Sequence, residues 1–141
     1  MNLNLGAINY LAVLVAGFAT FMLGALWYTA LFGKLWIKLH GWSEEKVKAL
    51  QARLPPPIFL GGMFVCYLVI AFVMAALVTS FNLNTAADGV ILGLLLWLGP
   101  AAAIAFTGQL ASDKPLAVYG IDVTFQLIFL VFMGGLLAVW R

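Results

Sequence analysis

Four long apolar stretches make up most of this 141-residue chain. They cover residues 8–32, 57–81, 89–111 and 116–140. Each is long enough to cross a bilayer as a helix, which takes about 20 residues. Each is also continuously hydrophobic and lacks the alternation of a barrel strand. The sequence therefore predicts an all-α integral membrane protein with four spans.

The composition indicates that lipid, rather than water, surrounds most of the chain. Only 9% of the residues are charged, 65% are hydrophobic, and the mean hydropathy is +1.11. A soluble domain carries about 25% charged residues. The net charge of +2 is not arranged as a basic stripe, which argues against a nucleic-acid partner. The first apolar stretch is too long for a signal peptide, so we expect it to be a permanent anchor.

Short connections join the last three stretches. A polar turn covers residues 82–88, and a tight turn covers residues 112–115, in which Pro115 can start the last helix. Short links make consecutive helices antiparallel neighbours. We therefore expect a single membrane domain over residues 1–141, folded as an up-down four-helix bundle.

Residues 34–56 form the only soluble segment of any size. Ser43 is the predicted N-cap of a short helix whose first turn carries two acidic residues. Three apolar residues at helical spacing give this helix a hydrophobic side: Val47, Leu50 and Leu54. We expect an interfacial amphipathic helix that lies on the bilayer and turns its lysines toward anionic lipid headgroups.

The basic residues predict the orientation of the chain. Five of the seven fall between the first two apolar stretches: Lys34, Lys38, Lys46, Lys48 and Arg53. The third connection adds Lys114, whereas the opposite side has only Arg141 and the N-terminal amine. Basic residues in short loops stay on the cytoplasmic side. Both termini are therefore expected to be extracytoplasmic.

Residues near the ends of the spans predict contacts with lipid. Aromatic and basic side chains there are typical of membrane interfaces: Trp27, Lys34, Trp36, Lys38, Trp42 and Trp140. Pro100 in the middle of the third span predicts a kink, because proline removes a helical hydrogen bond.

Small residues predict where helix backbones approach one another. They line three helix faces: Ala12, Ala16, Thr20 and Gly24 in the first span, Gly89 and Gly93 in the third, and Gly134 and Ala138 in the fourth. These faces are either used inside the bundle or available to a second subunit. A homo-oligomer, or a place in a larger membrane complex, is therefore expected.

The predicted orientation brings polar residues from three spans to a similar depth near the cytoplasmic side: Tyr28, Thr107, Gln109, Tyr119, Asp122 and Gln126. Asp122 lies about 10 Å inside its helix and shares a helix face with Gln126. Two interpretations stay open. The cluster is a site for a proton, an ion or a ligand, or Asp122 is a structural group bonded to Tyr28 or Gln109.

No catalytic arrangement is evident in the sequence. His40 has no cysteine or second histidine nearby, so it predicts no metal site. Cys66 stands alone in an apolar run and is interpreted as a small buried hydrophobe. We expect no enzyme activity, no metal and no cofactor.

Two segments carry a family resemblance. The first reads GALWY at residues 24–28 and LFGK at residues 31–34, followed by Trp36 and Gly41. The second reads WLG at residues 97–99, and the chain closes in a glycine-rich helix ending in Trp-Arg. Together these resemble DUF1761, a family of small bacterial membrane proteins of unknown function. The resemblance covers nearly the whole chain and implies a four-span protein of the bacterial inner membrane. It implies no activity, substrate or catalytic residue.

Two functional hypotheses follow. The first is a structural or accessory subunit that packs against itself or partner membrane proteins. The second is an oligomeric transporter, channel or small-ligand-binding bundle that uses the polar cluster around Asp122. A membrane enzyme acting on lipid is a weaker third, because only Asp122 and His40 could contribute and they lie at different depths.

Overall fold

The structure, a computed structural model that describes residues 2–141, contains four helices long and apolar enough to cross a membrane. We call them span one, Tyr10–Leu31; span two, Pro56–Ser80; span three, Ala86–Leu110; and span four, Leu116–Val139. Over residues 2–141 there is no β-strand. The predicted fold class, an all-α four-helix membrane bundle, is confirmed.

Polar side chains cap the two odd-numbered spans. Asn9 accepts a hydrogen bond from the backbone N–H of Ala12 at 3.1 Å, which satisfies one donor at the start of span one. Thr85 accepts one from the N–H of Asp88, also at 3.1 Å. Because Thr85 takes the N-cap position, span three begins at Ala86, three residues earlier than the apolar pattern predicts.

Two short helices connect spans one and two. The docking helix, Gly33–Leu39, packs against span four, and the linker helix, Glu44–Arg53, follows it. Ser43 caps the linker helix by accepting a hydrogen bond from the N–H of Lys46 at 3.2 Å. The linker helix has no fully buried residue. The sequence predicts the linker helix. It does not predict the docking helix, because no helix was expected for the residues between span one and Ser43.

Span four is the centre of the packing. It contacts spans one, two and three, whereas span three packs mainly against span four. Half of the most apolar stretch of span four is buried (50%), against 22% in span two and 17% in span three. The bundle is therefore built around its last helix, and spans two and three present most of their surface outward.

Small residues form the closest helix contacts. All of those singled out in the sequence are buried. A Cβ added at Gly89 would collide with the backbone carbonyl of Gly134, and one at Gly93 with that of Leu130. A Cβ at Gly17 would collide with the side chain of Leu68, where spans one and two meet. These faces are used inside the bundle, where backbone-to-backbone contact supplies the packing that hydrophobicity cannot supply in lipid.

Two spans contain a wide π-helical turn that begins at a tryptophan. The turn Trp27–Leu31 ends span one, and the turn Trp97–Ala103 interrupts span three around Pro100. A proline has no N–H and clashes with the carbonyl four residues earlier, and a wider turn accommodates both effects. The kink expected at Pro100 therefore takes the form of a π turn, and the turn in span one was not predicted.

Cys66 corrects one prediction. It is exposed on the outer face of span two instead of buried. The next residue, Tyr67, takes the inward position and is only 6% exposed. Because lipid is as apolar as a protein core, an apolar neighbourhood in the sequence does not show which side of a membrane helix faces inward.

Candidate functional site

Asp122 of span four is the centre of the candidate site. Its Oδ1 accepts a hydrogen bond from the hydroxyl of Tyr28 at 2.6 Å and a second from the indole Nε1–H of Trp36 at 3.0 Å. Tyr28 lies in the π turn of span one, and Trp36 lies in the docking helix. One carboxylate oxygen therefore joins three elements. We call Asp122, Tyr28 and Trp36 the Asp122 clamp.

A tight chain reversal brings the clamp together. The π turn ends at Phe32, whose N–H donates to the carbonyl of Trp27 at 2.8 Å. A Cβ at Gly33 would collide with the carbonyl of Tyr28, so the close approach of the docking helix to span one requires glycine here. Trp36 follows one turn later. The family-like LFGK segment thus has a structural purpose in forming the clamp.

The charge of Asp122 is only partly compensated. Both of its donors, a phenol and an indole, are neutral. The second oxygen, Oδ2, accepts no hydrogen bond from the described residues, and it is not among the fully buried atoms without a partner, so it keeps some exposure. The site therefore offers one occupied and one free carboxylate oxygen.

Aromatic rings extend the clamp in both directions. The ring centroids of Trp36 and His40 are 4.0 Å apart, and those of His40 and Trp42 are 4.6 Å apart. The Nδ1 of His40 also pairs with the backbone carbonyl of Trp36 at 2.8 Å. On the inner side, Tyr28 meets Phe125 edge to face at 5.4 Å. This packing fixes the orientation of the Trp36 indole. Within residues 2–141 no three metal-ligating side chains come together.

Tyr119 belongs to a different contact, between spans three and four. Its hydroxyl donates to the carbonyl of Ala102, in the π turn of span three, at 3.0 Å. In return, the Nε1–H of Trp97 donates to the carbonyl of Val123 at 2.8 Å. Residues 119–123 of span four therefore make hydrogen bonds to span one, to the docking helix and to span three.

Gln109 and Thr107 do not join Asp122. The Nε2 of Gln109 donates to the carbonyl of Lys114 at 2.6 Å and closes the turn before span four. Thr107 is exposed, and its hydroxyl donates to the carbonyl of Ile104 in its own helix at 2.7 Å. Of the two partners considered for Asp122, Tyr28 is the one that the structure provides.

Three buried side-chain atoms have no hydrogen-bond partner in the described part of the chain: Thr20 Oγ1, Trp27 Nε1 and Gln126 Oε1. Trp27 was expected at the membrane interface but is only 9% exposed. It packs against Phe32 and Phe125, with ring centroids 4.6 Å and 6.1 Å away. These two rings, from the end of the π turn and from span four, cover the Trp27 side chain.

The unpartnered hydroxyl of Thr20 leads to a stability prediction. Thr20 is fully buried (0% exposed), so its hydroxyl lacks both water and a protein partner. Thr20→Val keeps the shape and removes the unpaired group, which costs about 1–3 kcal/mol when buried. We expect Thr20→Val to raise the free energy of unfolding in detergent by about 1 kcal/mol. Thr20→Ala, which removes the hydroxyl but leaves a cavity, is the control and should not stabilise the protein.

Two surface grooves lie away from the clamp. One, of about 340 Å³, lies between spans one and two and is lined by apolar and aromatic side chains. The other, of about 320 Å³, lies between the docking helix and the linker helix. Asp122 lines neither of them. The acceptor available at Asp122 is therefore Oδ2, at a partly buried position outside both grooves.

Comparison with known proteins places this arrangement in a family. Residues 11–138 match the family model described as "Protein of unknown function (DUF1761)". This range contains the whole clamp and all four spans, except for Tyr10 at the start of span one and Val139 at the end of span four. No curated protein and no solved structure matches the chain. The family expected from the GALWY and LFGK segments is thus found over nearly the full length. The chain belongs to the DUF1761 family.

Proposed function

We propose that this chain is a structural or accessory membrane subunit that acts by packing against other membrane proteins, including copies of itself. The observation that supports this is how its polar side chains are used. Four aromatic side chains donate their hydrogen bonds to other helices: Tyr28, Trp36, Trp97 and Tyr119. Such bonds hold the shape of a membrane bundle, and a fixed shape is what a packing subunit requires.

Spans two and three offer the surface for these partners. They are the two least buried spans. A Cβ at Gly61 or Gly99 would meet nothing within 4 Å, in contrast to the glycines buried between helices. Small residues that face outward let a partner helix approach closely. We therefore assign the partner contacts to the outer faces of spans two and three.

Native mass spectrometry combined with photo-crosslinking tests this function. A photoreactive residue at Leu98, on the outer side of span three (61% exposed), should form an adduct with a second polypeptide or a second copy. The matched control is Phe18 of span one, which is similarly exposed (55%). A monomeric mass in mild detergents, together with adducts to lipid alone from both positions, would contradict the proposal.

We also propose that the protein lies in the bacterial inner membrane with both termini extracytoplasmic, on the strength of the basic linker. In a Cys66→Ala background, Asn84→Cys should react with a membrane-impermeant maleimide in spheroplasts. Ser112→Cys should react only after lysis, because the connection that contains it also carries Lys114. Both residues lie in turns between spans. The opposite labelling pattern would reverse the orientation.

The linker helix is the proposed contact with anionic lipid headgroups. Its basic residues are exposed, and the segment that contains it carries five basic residues against two acidic ones. A basic residue beside an anionic leaflet contributes about 1 kcal/mol. Replacing Lys46, Lys48 and Arg53 together by glutamine should therefore reduce co-purification of anionic lipid. Unchanged co-purification would argue against this contact.

A second candidate function is a ligand-binding bundle, whether transporter, channel or receptor, centred on the Asp122 clamp. The specific observation in its favour is the free and accessible Oδ2 of Asp122. Ionisable residues within membrane spans are expensive, and they commonly mark pathways or ligand sites. Asp122→Asn keeps an acceptor for Tyr28 and Trp36, so it should preserve the fold and abolish binding.

A further inference from the structure

We propose that the Asp122 clamp binds a primary ammonium group, through Oδ2 of Asp122. This inference rests on the second candidate function and adds the chemical class of the ligand. It follows from which hydrogen-bonding positions at the site are already taken, which are free, and which charge they carry.

The free position at the site is an acceptor. The Oδ1 of Asp122 already receives two hydrogen bonds, whereas Oδ2 receives none and is not fully buried. Gln126 lies one turn further along span four, but its Oε1 is sealed from solvent, so a ligand does not reach it. A ligand that satisfies Oδ2 must donate a hydrogen bond.

The charge of the site favours a cationic donor over a neutral one. Tyr28 and Trp36 supply hydrogen bonds but no positive charge. A carboxylate that is partly removed from water is stabilised by an opposite charge that also donates hydrogen bonds. A primary ammonium group carries one positive charge and three N–H donors. It can therefore bond to Oδ2 of Asp122 and to water at the same time.

The geometry disfavours the other common cations. A guanidinium group binds a carboxylate through both oxygens, but Oδ1 is covered by Tyr28 and Trp36. A quaternary ammonium group has no N–H and is recognised by aromatic faces, whereas these two rings turn their O–H and N–H edges toward the carboxylate. A calcium ion takes six to eight oxygen ligands, and the described residues contain no group of three metal-ligating side chains.

The position of the site allows two sources of the ammonium group. Asp122 lies seven residues after Pro115, about 10 Å along the helix from the start of span four, and the docking helix packs beside it. The group can belong to an ethanolamine lipid headgroup or to a soluble primary amine. Both share the chemistry that the site recognises, and the experiment separates them.

Titration of the whole protein in phosphatidylcholine nanodiscs tests the inference. Ethylammonium is added, and binding is followed by calorimetry and by tryptophan fluorescence, to which Trp36 contributes. Tetramethylammonium is the matched control, with the same charge but no N–H. We expect saturable binding of ethylammonium only. Asp122→Asn should weaken it at least tenfold, whereas Gln109→Leu, at the end of span three and not bonded to Asp122, should not change it.

The outcomes are distinguishable. If added phosphatidylethanolamine competes with ethylammonium, the lipid headgroup is the source; if it does not, a soluble amine is. Equal binding of tetramethylammonium, or full binding by Asp122→Asn, would overturn the inference. Binding of guanidinium or sodium that depends on Asp122 would also overturn it and keep the ligand-binding function. The absence of any cation binding that depends on Asp122 would remove both.

Discussion

Replacing Gly89 with alanine is expected to lower the free energy of unfolding in detergent by about 3 kcal/mol, because overpacking against a rigid neighbour costs roughly this much. The added Cβ would collide with the backbone carbonyl of Gly134, which lies on the facing side of span four. A side chain can rotate away from such a clash, but a helical backbone cannot. Spans three and four must therefore separate locally, and the backbone contact between them is lost.

Unfolding by sodium dodecyl sulfate, followed by circular dichroism and tryptophan fluorescence, measures this effect. Gly108→Ala is the matched control, because Gly108 lies in the same span and has nothing within 4 Å of a Cβ. Alanine is also the better helix former, by about 1 kcal/mol, so Gly108→Ala should be neutral or slightly stabilising. Equal losses in both variants would mean that the contact between Gly89 and Gly134 contributes no specific packing energy.

Hydrophobic length was enough to predict the four spans. A bilayer requires about 20 apolar residues of each, and the polar turns between them are short. The GxxxG step at Gly89 and Gly93 also pointed to a packing face. The partner of that face did not follow from the sequence, since the choice of span four depends on the arrangement of all four helices. The same holds for Gly17, whose contact with Leu68 has no local signal.

The candidate site could be predicted in part. Topology placed Tyr28 and Asp122 at a similar depth, and they are hydrogen-bonded in the structure. Topology predicts a similar depth for Gln109 and Thr107. In the structure, however, Gln109 donates a hydrogen bond within the turn before span four, and Thr107 donates one within its own helix. Depth alone does not separate these cases, because rotation about the helix axis decides which side chains meet.

Trp36 was the residue that sequence reasoning missed. As an aromatic residue beside lysines it fitted a membrane interface, yet its indole donates to Asp122. The missing step was the chain reversal at Gly33, which turns the docking helix back onto span four. A glycine one turn before a tryptophan, directly after a span, was the signal available for such a reversal.

Removing the carboxylate of Asp122 is expected to release the docking helix from the bundle. In Asp122→Ala, the hydroxyl of Tyr28 and the indole N–H of Trp36 both lose their acceptor. A hydrogen bond to a charged group contributes about 1.5–3 kcal/mol. The loss of two such bonds at a partly buried site should weaken docking by about 3 kcal/mol. That is more than a hundredfold increase in the undocked population, since 1.4 kcal/mol corresponds to a factor of ten.

Limited trypsin digestion in mild detergent measures this release. Lys34 and Lys38 lie in the docking helix and should be cut faster in Asp122→Ala, whereas Lys48 in the exposed linker helix supplies an internal reference. Asp113→Ala is the matched control, because Asp113 is an exposed carboxylate in the turn before span four. Asp122→Asn, which retains one acceptor oxygen, should be cut at an intermediate rate.

The digestion also separates the two roles of Asp122. If Asp122→Ala is cut no faster than the parent, the packing of Trp36 against His40 and Trp42 holds the docking helix without the carboxylate. The carboxylate would then have no structural task that justifies its cost within a membrane span, which would favour a ligand. The other outcome is that Asp122→Ala is cut faster, as expected. If ethylammonium also slows the cleavage of the parent protein, then binding at the free oxygen of Asp122 stabilises the docked position of the docking helix.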